Sequence, residues 1–378
     1  MRIGIVCYPT FGGSGVVATE LGLELSKRGH EIHFITYSQP VRLELLSNNV
    51  HYHEVTVPEY PLFLYQPYEL ALSSKLVDMV KLHQIEVLHV HYAIPHAYAA
   101  YMAKKMLQED GIYVPIVTTL HGTDITLVGS HPFYKPAVTF SINKSDAVTS
   151  VSQSLKDDTL RLFDIKKEIN VVPNFIDLVK YEPHFTDCQR AMMATEEEKI
   201  ITHISNFRSV KQIPDVIKVF YNIQKEIPAK LMMVGEGPER EPAEQLCKKL
   251  GISNKVVFFG NSNEIDKILC FSDLFLLPSL TESFGLSALE AMASGVPVIS
   301  SNTGGIPEVN EHGFSGYLSE INDVEDMSKN ALYILSDDQR LSKFKSNAKA
   351  VAQKFGIHKV VPQYEAIYED TLKKCLIL

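Results

Sequence analysis

Glu282 and Glu290 bracket seven residues in Thr281-Glu-Ser-Phe-Gly-Leu-Ser-Ala-Leu-Glu-Ala291. Two carboxylates at that spacing can grip a polyhydroxylated ligand. Asp273-Leu-Phe-Leu-Leu-Pro-Ser279 reads as a buried strand and a loop, and Ser287 to Ser294 as a helix stopped by Gly295. Glu282 then lies at the carboxyl end of a strand, and Glu290 within the helix that follows. The carboxyl edge of an open α/β sheet is where ligands bind. A carboxylate accepts two hydrogen bonds from vicinal hydroxyls, so the pair suits the ribose and hexose of a sugar nucleotide.

Other residues fit the same kind of ligand. Asn206-Phe-Arg208-Ser-Val-Lys211-Gln212 follows an apolar run, and an Arg and a Lys three apart at a strand end can neutralise a diphosphate. Phe11-Gly12-Gly13-Ser14-Gly15-Val16 opens a helix, where glycines let backbone N–H groups approach an anion and Ser14 adds a hydroxyl. Its Gly-Gly-x-Gly spacing departs from G-x-G-x-x-G, and the second strand ends in Thr36-Tyr-Ser38 without an acidic residue. Both features argue against a nicotinamide cofactor. Val234-Gly235-Glu-Gly-Pro-Glu-Arg240 is expected to wall the nucleotide, and Asn302-Thr-Gly-Gly-Ile-Pro-Glu308 to offer amides to its phosphates. His121, in Thr118-Thr-Leu-His-Gly-Thr-Asp124, is placed to bond a sugar hydroxyl or the acceptor. His89 and His91 share one strand face by period-two spacing and are read as structural, with Tyr92 as the contact. No Asp-x-Asp occurs, so Arg208 and Lys211 are expected to do the work of a cation; no metal and no cofactor are expected.

These groups need strand ends to hold them. Ile3 to Cys7, Ile32 to Thr36, Val87 to His91, Ile116 to Leu120, Ala147 to Val151 and Asn170 to Val172 read as strands, separated by amphipathic helices. A second series runs Ile200 to Ser205, Lys230 to Val234, Val256 to Phe259, Leu274 to Leu277 and Val298 to Ser300. Such alternation predicts two doubly wound parallel sheets of α/β class. The domains are drawn at 1–175 and 176–359, with a terminal helix from about 360 to 378 crossing back, and a cleft between them as the natural ligand site. At 378 residues, 45% hydrophobic and 21% charged, the chain can fill two cores. A net charge of -9 without a basic cluster argues against nucleic acid and anionic lipid. The chain has no apolar run of the roughly 20 residues that span a bilayer. Met1 to Cys7 reads as a first strand rather than a leader. Five scattered cysteines, including Cys188, suggest reduced thiols in a cytoplasmic protein.

Taken together, the E-x7-E block, the Arg-x-x-Lys loop and the glycine-rich first turn resemble glycosyltransferase family 4, over essentially the whole chain. Gly12-Gly-Ser-Gly-Val-Val-Ala-Thr-Glu-Leu-Gly22, His89-Val-His-Tyr-Ala-Ile-Pro-His96, Thr118 to Thr126 and Pro173-Asn-Phe-Ile-Asp177 carry the likeness in the first half. It implies a GT-B fold: an N-terminal acceptor domain and a C-terminal nucleotide-sugar domain. It also implies transfer of N-acetylglucosamine from UDP-N-acetylglucosamine to the hydroxyl of L-malate, with retention, as the first step of bacillithiol synthesis. Carried over, Glu290 holds ribose, Glu282 the hexose, and Arg208 and Lys211 the diphosphate, beside Gly13 and Gly235. His121 touches the transferred sugar. Ser14, Tyr92, Thr119 and Asn174 face the acceptor. Arg208, Lys211, Glu282 and His121 form the catalytic group. A family member with another small or lipid acceptor, a UDP-sugar epimerase and a non-catalytic binding module are the alternatives, and a homo-oligomer is compatible with the sequence.

Overall fold

The computed structural model describes residues 1–10, 12–43, 49–59, 61, 64–182, 190–262 and 264–377. Phe11, Cys188 and Leu378 lie outside the described residues. The chain forms two compact units, Met1–Asn174 with His358–Leu378, and Phe175–Ile357.

Unit 1 is built on strands β1 Arg2–Val6, β2 Glu31–Thr36, β3 Val50–Glu54, β4 Val87–His91, β5 Ile116–Leu120, β6 Ala147–Ser150 and β7 Ile169–Val171. They pair in parallel in the order β3-β2-β1-β4-β5-β6-β7. Strands β1, β4 and β5 are buried on both faces, as a parallel sheet covered by helices requires. One core cluster packs Val6, Leu88 and Val90 against Leu72, Leu76 and Ala100 from the covering helices. The last helix, Ile357–Ile377, seals this unit with fully buried Tyr364 and Tyr368. Its Glu365 accepts from Arg28 at 2.7 Å and meets His30 at 2.9 Å.

Unit 2 repeats the plan with β8 Lys199–Ile204, β9 Ala229–Val234, β10 Val256–Gly260, β11 Leu274–Leu277, β12 Val298–Ser301 and β13 Gly316–Ser319. Their parallel order is β10-β9-β8-β11-β12-β13. Phe207, Phe220, Leu231 and Leu276 belong to its core. In each sheet the winding direction reverses once, between β1 and β4 and between β8 and β11. The crevice outside the carboxyl ends at such a reversal is the ligand-binding position of this architecture.

Two elements exceed the strands read from sequence: β3, Val-His-Tyr-His-Glu, and β13, Gly-Tyr-Leu-Ser. Both lack the apolar run that marked the others. The helical stretch from Val324 also breaks at Ser336-Asp337, where Asp337 caps a new helix by accepting from the Arg340 amide. Cys7 and Cys247 are free and buried, and burial pushes their thiols up to about 12 and about 11. Among the described residues no helix is long and apolar enough to cross a membrane.

Candidate active site

The reversal point of unit 2 gathers the charged residues. Beyond β8 the chain turns through Ser205 to Arg208 and a short 3-10 turn, Ser209–Lys211, before the helix Ile213–Glu226. Lys211 Nζ donates to Glu282 Oε1, and the same oxygen accepts from Ser279 Oγ at 2.9 Å. The two side chains are only 19% and 13% exposed, so the pair bridges the ends of β8 and β11 in a partly desolvated place. Arg208 is exposed and makes no ion pair among the described residues. Its guanidinium is open to an incoming anion.

Close backbone packing fixes this edge. Gly235 has φ +126°, and a Cβ there would fall 1.8 Å from the Ser205 carbonyl oxygen, so only glycine fits. Its amide donates to Gly260 at 2.7 Å. Gly235 therefore shapes the wall and has no N–H left for a ligand. Gly304 has φ +55°, and its Cβ would fall 2.0 Å from the Glu282 carbonyl oxygen, to which Gly305 donates its amide at 2.9 Å. The Asn302–Glu308 loop thus buttresses Glu282, and its Gly305 N–H is not free for phosphate. Behind the edge, His203 bonds the Leu276 carbonyl at 2.8 Å and Ser205 Oγ at 2.7 Å. Burial, with Lys211 adding to it, pulls its pKa down to about 4 and keeps it neutral.

Glu290 lies in the helix Leu286–Ala293 and is 6% exposed. Its Oε1 accepts from Tyr181 Oη at 2.9 Å. Tyr181 closes the short turn Leu178–Tyr181 and was not found from sequence, because nothing local marks a partner so distant along the chain.

The reversal point of unit 1 is bridged by hydroxyls instead of an ion pair. Gly13 is the exposed first residue of the helix Gly13–Lys27, and Ser14 Oγ meets Tyr92 Oη at 2.7 Å across the ends of β1 and β4. Tyr92 adopts φ +87°, a conformation that costs a bulky side chain about 1–3 kcal/mol and that collects at functional sites. Asp124 holds this edge. It is 2% exposed and accepts from Ala93 N at 2.8 Å, Gly122 N at 3.0 Å and His121 N at 3.2 Å, tying the ends of β4 and β5. Burial raises its pKa to about 6 against the pull of those N–H groups. Sequence reading quoted Asp124 without a role; only the fold brings Ala93 to it.

Histidines line the interior. His91 Nδ1 meets His121 Nε2 at 2.8 Å, and His89 sits between Tyr368 Oη and Thr119 Oγ1, each at 2.7 Å. Burial drops His89 and His121 to about 3 and His91 well below its usual range, so all three are uncharged. His89 and His91 are structural, as their strand positions suggest. His121 is 9% exposed with Nε2 committed to His91. Thr119 requires a correction: it is fully buried, its hydroxyl also meets Thr149 Oγ1 at 2.7 Å, and it supports His89 instead of facing an acceptor. Asn174 is 6% exposed, and its buried Oδ1 has no hydrogen-bond partner.

Arg208, Lys211 and Glu282 thus share one sheet edge in unit 2, with Glu290 in the helix that follows β11. Ser14, Tyr92 and His121 share the equivalent edge of unit 1. Comparisons with known proteins extend this picture. The Glycosyltransferase Family 4 model matches residues 11–180, and the model for Glycosyl transferases group 1 matches 189–351. The N-acetyl-alpha-D-glucosaminyl L-malate synthase of Bacillus anthracis is 48% identical over 375 residues, 99% of this chain and 98% of that one. The 2-deoxystreptamine N-acetyl-D-glucosaminyltransferase of Niallia circulans is 25% identical over 329 residues, 82% of each chain. Among solved structures, Anabaena Alr3699/HepE in complex with UDP-glucose superposes with a TM-score of 0.82 at 20% identity, covering 99% of this chain and 100% of that one. WaaG, a glycosyltransferase involved in lipopolysaccharide biosynthesis, gives 0.75 at 16% identity, with 97% and 99% covered. At these identities the structures establish the GT-B fold.

Proposed function

Because this chain belongs to glycosyltransferase family 4, we propose that it transfers N-acetylglucosamine from UDP-N-acetylglucosamine to the hydroxyl of L-malate, with retention and without a metal. The acceptor is supported by full-length likeness to a malate synthase. The observation that carries the donor half is the Lys211–Glu282 pair beside an exposed Arg208 at the β8/β11 reversal. A lysine ammonium has three donors; one bonds Glu282 and the others remain for phosphate oxygens. Arg208 adds a planar fork. Glu282 keeps Oε2 for hexose hydroxyls, and Glu290 with Tyr181 takes the ribose.

The reaction is a front-face displacement. The bond from the anomeric carbon to the β-phosphate oxygen breaks, and the malate oxygen bonds that carbon on the same face. The departing phosphate oxygen accepts the malate hydroxyl proton. Arg208 and Lys211 stabilise the charge gathering on the diphosphate. A double displacement would need a carboxylate nucleophile at the anomeric carbon. Ser279 and Lys211 both hold the same oxygen of Glu282, which suits recognition better than attack. In unit 1, Ser14, Tyr92 and the helix N-terminus at Gly13 supply directional donors to the acceptor, with the buried, unpartnered Oδ1 of Asn174 as an acceptor group.

UDP release from UDP-N-acetylglucosamine, screened over small hydroxy acids, tests this reading. Release should depend on L-malate, survive excess EDTA and give an α-linked product by NMR. Release without any acceptor would favour an epimerase, and glycerol serving as well as malate would remove the acceptor assignment. Solubility in the cytoplasm and self-association are part of the same proposal, and fractionation and sedimentation measure them.

A further inference from the structure

A second constellation lies at the other end of the unit 1 strands, and the proposed transfer does not use it. Glu31 and His33 alternate along β2, and His51 and His53 along β3, so period two sets each pair on one face. Parallel register places His33 opposite His51 and Ile35 opposite His53. The helix Tyr68–His83 ends above them, its His83 ring 4.6 Å from that of His33 and 4.7 Å from that of His53. Four imidazoles and a carboxylate therefore converge on one face of the edge strand pair β2–β3. The candidate active site occupies the carboxyl ends.

The distances within this cluster suit an ion better than they suit hydrogen bonds. Glu31 Oε1 lies 3.1 Å from His51 Nε2 and 3.6 Å from His33 Nε2. Ligands at 2.0–2.2 Å from a tetrahedral metal stand roughly 3.4 Å apart, and the two spacings straddle that value. The longer one is beyond a useful hydrogen bond. His33 is fully buried, and its Nε2 has no hydrogen-bond partner, a state that ordinarily costs stability. On the other side of the ring, Nδ1 meets His53 Nε2 at 2.9 Å. A proton on Nδ1, donated to His53, leaves the Nε2 lone pair directed at Glu31 and His51. That is how an outer histidine fixes the tautomer of a metal-ligating one.

We propose that Glu31, His33 and His51 bind one divalent transition-metal ion of the zinc class, with His53 orienting His33 from behind. Imidazole with carboxylate suits this class, and hard ions such as magnesium prefer all-oxygen sets. Glu31 and His51 are 43% and 38% exposed, which gives the ion a path from solvent and a water as fourth ligand. Bound there, it clips β3 to β2. The proposal is independent of the donor and acceptor assignments.

The test uses the full chain without a histidine tag, stripped with chelator and dialysed against zinc alone, with elemental analysis and a cobalt(II) titration followed by its visible bands. One zinc per chain and tetrahedral cobalt bands are expected. His51→Ala and Glu31→Gln, both at half-exposed positions, should each lower zinc affinity at least tenfold, and His53→Ala about tenfold. Changing exposed His131 to Ala should leave binding intact. Zinc should raise Tm in the parent chain and not in His51→Ala, while malate-dependent UDP release stays the same with and without zinc. Substoichiometric zinc, or equal binding by parent and His51→Ala, would overturn the proposal. Loss of binding in His83→Ala but not His51→Ala would also overturn it, since the ion would then belong to the His33–His53–His83 group.

Discussion

The two sheet-reversal points occupy equivalent positions in two similar folds, yet they carry opposite chemistry. In unit 2 the crevice is bridged by an ion pair, Lys211 with Glu282, and flanked by the exposed guanidinium of Arg208. In unit 1 it is bridged by two hydroxyls, Ser14 and Tyr92, and backed by uncharged histidines. A diphosphate demands charge, which works in any direction at close range. A small acceptor must be oriented, and neutral hydroxyls and backbone N–H groups on a stiff edge do that with less desolvation cost. Strand–loop–helix units frame both points, and the side chains gathered at each set the chemistry.

Removing the cation from the charged point should have the largest effect. Lys211→Ala should reduce malate-dependent UDP release on the order of 100-fold, the usual loss for a donor aimed at developing charge, in assays with and without EDTA alike. Magnesium restoring activity to an EDTA-treated parent enzyme would contradict the metal-free account. Next comes Glu290→Gln, which keeps the shape but halves the acceptors offered to vicinal hydroxyls. UDP affinity should drop about tenfold, roughly 1.4 kcal/mol, with kcat at saturating donor reduced far less. Unchanged affinity with lost turnover would give Glu290 a chemical role.

On the neutral side the effects should be smaller and confined to the acceptor. Ser14→Leu should raise the malate KM roughly tenfold, as loss of a matched hydroxyl does. Asp124→Asn sharpens the comparison through pH. The carboxyl titrates near 3.8 when unfolded and at about 6 when folded, so the native state binds the extra proton. Its favourable contribution is complete below about pH 4, declines as pH rises to 6, and is constant above. Parent stability relative to Asp124→Asn should therefore fall by about 1–3 kcal/mol across that window, measured by urea unfolding at several pH values.

Much of this was legible because parallel sheets announce themselves. Buried strands such as Val87–His91, Ile116–Leu120 and Leu274–Leu277 read as apolar runs with exact ends. The site residues that pattern could place were those next to strand ends. Strand β3 escaped because Val50 is its one aliphatic residue, where β4 keeps three around its two histidines, and β13 because Leu318 is its one. Tyr181 beneath Glu290, Asp124 across β4 and β5, and the Gly304–Gly305 support of Glu282 depend on contacts that no local pattern encodes. Thr119 joined the acceptor group through the family likeness, and only the fold shows its hydroxyl bonded to His89 and Thr149.

The division of labour between the two reversal points can be measured directly by calorimetric titration of UDP into Lys211→Ala and Ser14→Leu side by side. The account predicts at least tenfold weaker UDP binding for Lys211→Ala and affinity within twofold of the parent for Ser14→Leu. Equal weakening in both variants, or loss confined to Ser14→Leu, would contradict it.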